Sequence, residues 1–125
     1  MSDNTMTVLV VEPMKRPYAK TIPNTLEAMQ ELVGGHIQAV YPFDDPVAVV
    51  CNEEGKLLGL PPNRLMRDQN GTPYDILCGT IFVAGLGEED FKSLSPELME
   101  KYDALYRKEA LLPLKKQKEN NEHER

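Results

Sequence analysis

The sequence predicts an α+β fold: a small, mostly antiparallel sheet covered by two helices. Three observations carry this. Apolar, β-branched runs at Thr7–Val11, Val47–Cys51 and Ile76–Ala84 have the length and composition of buried strands. Short polar turns, Asp44-Asp45-Pro46 and Asn52-Glu53-Glu54-Gly55, separate neighbouring runs and suit hairpins rather than crossovers. Two segments, 24–33 and 95–110, carry start signals and apolar spacing of helical period.

Taken in order, residues 1–6 are expected to fray. Thr7–Val11 is a strand that ends at Glu12-Pro13, because proline lacks the N–H a ladder needs. Residues 14–23 form a loop or edge segment, held extended by Pro17 and Pro23 and bearing Lys15, Arg16 and Lys20. The first helix starts at the cap Asn24, with Glu27 in capping-box register. Leu26, Met29, Leu32 and Val33 make its apolar stripe, and Gly34-Gly35 stops it. His36–Phe43 is a strand returning antiparallel through Val47–Cys51. Lys56–Leu60 reads as a short strand and Pro61-Pro62-Asn63-Arg64 as a polyproline-like bend. Asn70-Gly71 marks a further turn. Ile76–Ala84 is one strand interrupted at Gly79, and residues 85–94 hold a polar turn with one helical turn. Ser95-Pro96-Glu97 opens the last helix, whose buried face is Leu98, Tyr102, Leu105 and Tyr106. We therefore expect one α+β domain over 7–112 and a disordered polar tail over 113–125, the last eleven residues of which contain nothing apolar.

Composition narrows the function. The formal net charge is −6; the last eleven residues carry four basic and three acidic groups, so the body sits at −7. Such a body lacks the positive surface that nucleic acids and anionic membranes require, but it attracts basic protein partners. The opening residues have no basic n-region and no apolar run long enough for a signal sequence, so a cytoplasmic location is expected. Cys51 and Cys78 lie in apolar runs and read as reduced, buried thiols. With His36 and His123 they make no zinc spacing, and no metal site or cofactor is expected.

Catalysis finds no support in the spacing either. The acidic pairs Asp44-Asp45 and Glu53-Glu54 and the run Glu88-Glu89-Asp90 lie in turns, where water keeps carboxylates ordinary. No phosphate-binding glycine loop is present. Two readings of the polar residues at 52–64 stay open. Asn52, Glu53, Lys56, Asn63 and Arg64 either converge on a ligand, with Arg64 as an anion clamp on a stiff loop, or they serve the turns themselves. Lys15 and Arg16 join Arg64 as a basic patch if their loops share an edge.

The segments LVVEPMKRPYAKTIPNTLEAMQELVGGHIQAV, VCNEEGKLLGLPPNR and DILCGTIFVAG, in this order, resemble a family of short bacterial domains of unknown function. The matching positions are Glu12-Pro13, Met29-Gln30 through Gly35, Asn52–Lys56, Leu60–Arg64, and Gly79-Thr80 with Phe82. The resemblance implies a setting on plasmids, conjugative elements and phages of Firmicutes. It implies no catalytic residues. The expectation is a non-catalytic accessory protein that binds a host protein or a small anionic ligand. The alternatives are a host-defence antagonist, sequestering a nucleotide signal or docking on a defence enzyme, and a small enzyme of unknown type.

Overall fold

A computed structural model describes residues 4–108. Its centre is an antiparallel sheet of β1 (Thr5–Val11), β2 (Tyr18–Pro23), β3 (Ile37–Val40), β4 (Val47–Asn52), β7 (Ile81–Leu86) and β8 (Phe91–Lys92), with helix α1 (Leu26–Val33) between β2 and β3. The strand order is β2-β1-β7-β4-β3, and β8 pairs with the far end of β7. A separate hairpin, β5 (Pro62–Arg67) with β6 (Pro73–Cys78), lies outside this sheet. A second helix, α2, covers residues 96–108. The fold is thus α+β and antiparallel with two helices, but strands dominate it, and the hairpin shares with α2 the task of covering one face.

The apolar runs are nearly continuous because the sheet is covered on both sides. Side chains alternate across it. Met6, Val8, Val10, Val50, Phe82 and Ala84 pack with Met29 and Val33 of α1. Leu9, Val11, Val47, Val49, Ile81 and Val83 pack on the other side with Met66 and Leu77 of the hairpin and Tyr102 and Tyr106 of α2. The β3–β4 hairpin has the expected antiparallel pairing, from Ile37 opposite Asn52 to Val40 opposite Val49.

Several elements depart from the sequence reading for identifiable reasons. β1 begins at Thr5, and Met6 is buried, so the ladder with β2 extends into residues expected to fray. Within the segment expected as loop or edge, residues from Tyr18 do form an edge strand, paired with β1 over six residues. The cap of α1 is Thr25, whose Oγ1 accepts from the Ala28 amide at 3.1 Å; Asn24 instead donates from Nδ2 to the Phe91 carbonyl at 2.9 Å. Leu26 is exposed and leaves the stripe. Gly34, at φ 82°, is the left-handed stop that was expected.

Lys56–Leu60 is not a strand. It closes a single helical turn: Leu60 N–H bonds to Gly55 O, Gly59 N–H to Lys56 O, and Gly59 has φ 71°. That nested pattern with a left-handed glycine is a Schellman ending. Residues 62–67 are then a strand rather than a bend, with Pro62 tolerated as its first residue. The apolar run 76–84 divides at Gly79, φ 85°, into strands of two different sheets. Residues 85–94 contain β8 in place of a helical turn. Ser95 starts α2 as expected, its hydroxyl accepting from the Leu98 amide at 3.3 Å. The expected end of this helix near Ala110 and the tail over 113–125 lie outside the described residues.

Candidate functional site

The polar residues of the 52–64 stretch separate into two groups. One is a buried knot. A register shift between Pro62 and Arg64 makes Asn63 the extra residue of a β-bulge, which re-aims its side chain. Asn63 Nδ2 donates to Val11 O at 2.8 Å and to Gly79 O at 2.7 Å, so one amide ties the end of β1 to the β6–β7 break. Its Oδ1 accepts from Arg64 at 2.7 Å. Arg64 is 2% exposed. Its guanidinium donates to Tyr106 O at 2.8 Å and to Lys15 O at 2.9 Å, joining α2, the β1–β2 loop and the hairpin. A planar fork of donors suits this job of holding several carbonyls at once.

Asn52, 5% exposed, works in the same way at the other end of the turn. Its Nδ2 donates to Val33 O, 3.2 Å away in the last turn of α1, and its Oδ1 accepts from the Glu54 amide at 2.7 Å. Two glycines make room here. A Cβ at Gly35 would sit 2.8 Å from Asn52 Nδ2, and one at Gly55 2.7 Å from the Cys78 carbonyl oxygen.

The second group is displayed. A cleft of about 190 Å³ opens between the β3–β4 edge and the hairpin. Val40, Cys51, Met66 and Ile76 are among its lining, and Glu53, Glu54 and Lys56 border it on the turn. Lys56 pairs with Asp75 across the cleft. That pairing holds the Asp75 carboxyl below its usual range and raises the Lys56 ammonium. Cys51 also lines the cleft; its thiol donates to Gln38 O at 3.5 Å, and burial followed by the nearby Asp75 charge pushes its pKa up, which keeps it protonated. Cys78 is half-buried.

Asn52, Glu53 and Lys56 therefore meet at one cleft. Asn63, Arg64, Lys15 and Arg16 are not among its lining residues. Lys15 offers Arg64 its carbonyl, while its ammonium pairs with Glu12 at 3.3 Å; Arg16 is exposed. The three cations do not combine into an anion clamp, because Arg64 points inward onto main-chain carbonyls. Among the described residues no group of three or more His, Cys, Asp or Glu is placed to hold a metal ion.

Two residues escaped the sequence reading. Leu57 and Leu58, expected inside a strand, stand 86% and 57% exposed on the turn, beside Glu53 and Glu54. Their signal was the spacing of Gly55 and Gly59, which brackets one helical turn.

A family of domains of unknown function, DUF3846, matches residues 6–107. The chain belongs to this family. The match takes in the knot, the cleft and all but the last residue of the described part of α2. No curated protein and no solved structure matches the chain. No helix among the described residues is long and apolar enough to cross a membrane.

Proposed function

We propose that this chain is a non-catalytic binding protein whose ligand is another protein, docked at the β4–β5 turn. The carrying observation is the pair Leu57 and Leu58, exposed on a turn whose base is pinned by Asn52 and whose end is closed by Gly59. An apolar pair held in one conformation binds at little ordering cost. Glu53 and Glu54 flank it, so the complementary surface is an apolar recess rimmed by basic residues. In the mobile-element setting implied by the sequence resemblance the partner is a host protein, and docking on a defence enzyme is one form of the same act.

The geometry favours a protein over a small anion. Arg64 is enclosed, Lys15 is paired with Glu12 and Lys56 with Asp75. The non-catalytic reading is supported by the raised, protonated Cys51 and by the pairing of Asp75 with Lys56. The test is capture from a host lysate by the immobilised chain and by a Leu57→Ser/Leu58→Ser variant. A partner retained by the wild type and lost with the variant supports the assignment; equal capture by both removes it.

A further inference from the structure

The two edges of the main sheet are unlike. β2 carries Lys20, follows Pro17 and ends at Pro23, the features that blunt an edge against unwanted pairing. β3 reads Ile-Gln-Ala-Val, with no charge and no proline, and among the described residues pairs only with β4. Its phase can be read from its bonds. Glu53 N–H donates to His36 O at 2.8 Å, and Gln38 lies opposite Cys51, whose thiol reaches Gln38 O. Residues 36, 38 and 40 thus turn their main-chain groups toward β4. Ile37 and Ala39 turn theirs outward, to the open edge.

The same edge borders the cleft. Side chains alternate, so Gln38 and Val40 face the cleft while Ile37 packs toward α1. The cleft, about 190 Å³, has room for one side chain, with Val40, Met66 and Ile76 as its apolar lining beside polar groups. Among the described residues lining that space, Glu53, Glu54 and Asp75 stand against one cation, Lys56.

We infer that β3 is a strand-addition site: an extended segment of the partner pairs with Ile37 and Ala39, seats an apolar side chain in the cleft, and aims a basic residue at Glu53 and Glu54. In strand addition the main-chain bonds supply affinity and alternate side-chain pockets supply selectivity. The inference rests on reading the chain as a protein-binding module and names the segment it takes.

The test is a selection of displayed random dodecapeptides on the immobilised full chain, followed by amide hydrogen exchange with the enriched peptides. The expected consensus is apolar-x-basic, on alternate positions. Exchange at Ile37 and Ala39 slows at least tenfold on saturation. Ala39→Pro removes an outward N–H, leaves the ladder to β4, and weakens binding at least tenfold. Unchanged exchange at both amides in the wild type overturns the inference, whether or not the proline variant folds. So does a selection that enriches nothing. If peptides fail in either way but lysate capture still depends on Leu57 and Leu58, strand addition falls and the docking reading stands. If the peptides protect Ile37 and Ala39 while capture ignores both leucines, the turn assignment falls and strand addition stands.

Discussion

The knot and the turn are made from neighbouring residues of one motif-rich stretch, yet they are opposites. Arg64 is buried and Asn63 half-buried, with their donors on the carbonyls of Val11, Gly79, Lys15 and Tyr106. Glu53, Lys56, Leu57 and Leu58 are on the rim of a cleft or in open solvent. The residues with the richest hydrogen-bonding chemistry hold the fold, and plainer ones face outward. Asn63 and Arg64 thus serve the fold, while the residues displayed to solvent lie several positions away on the turn.

The sharpest way to break this contrast is at Arg64. Arg64→Ala should destabilise the chain by about 3–5 kcal/mol, because the buried Tyr106 carbonyl and the part-buried Lys15 and Asn63 carbonyls each lose a donor at about 1–3 kcal/mol apiece. A urea midpoint unchanged from wild type would return Arg64 to the list of candidate ligand groups. Arg64→Lys keeps the charge but loses the planar fork, and a midpoint well below wild type is expected there too.

The next effect is at the close approaches. Gly55→Ala drives a methyl toward the Cys78 carbonyl, which is main chain and cannot swing aside. A loss of about 1–3 kcal/mol is expected, the usual range for overpacking. The same substitution at Gly59, where among the described residues no atom beyond the adjoining ones lies within 4 Å of the added Cβ, is opposed by its positive φ, at about 1 kcal/mol. Equal losses at the two glycines would mean that steric closeness is not what distinguishes them.

On the displayed side, Leu57→Ser/Leu58→Ser should shift the unfolding free energy by no more than about 0.5 kcal/mol, as surface substitutions do. A larger loss would put the leucines with the knot. The smallest effect is a pH dependence. Asp45 accepts from Lys101 at 2.7 Å and Tyr102 at 2.6 Å, and both bonds hold its carboxyl below the usual range. A depressed folded pKa stabilises the chain above the unfolded value, near 3.9. That contribution is lost as the pH falls through the folded pKa. Asp45→Asn should flatten the decline in midpoint below about pH 4; an unaltered acid profile would assign the decline to other carboxylates.

Much of the frame was legible because it rests on local signals. Gly34 stops α1, Ser95-Pro96 opens α2, and Asp44-Asp45-Pro46 joins β3 to β4, each through residues adjacent in sequence. The misreadings came where distant partners decide. Ile76–Ala84 looks like one strand until Asn63, 16 residues earlier than Gly79, takes the Gly79 carbonyl. Lys56–Leu60 is apolar enough for a strand, but two glycines and the Cys78 main chain make it a turn. Arg64, expected as an anion clamp on a stiff bend, is a buried strand residue that donates to main-chain carbonyls. Its direction was not readable, because Lys15 and Tyr106 lie 49 and 42 residues away.

The strand order has a consequence for synthesis. β7 lies between β1 and β4, both of which leave the ribosome before it. Until residue 86 is available, the β1–β2 and β3–β4 hairpins have no shared neighbour, and Val8–Val11 and Val47–Cys51 are left with open apolar flanks. A nascent chain paused before β7 is thus two unjoined ribbons with unpaired apolar strands, the kind of species in which open strand edges promote aggregation.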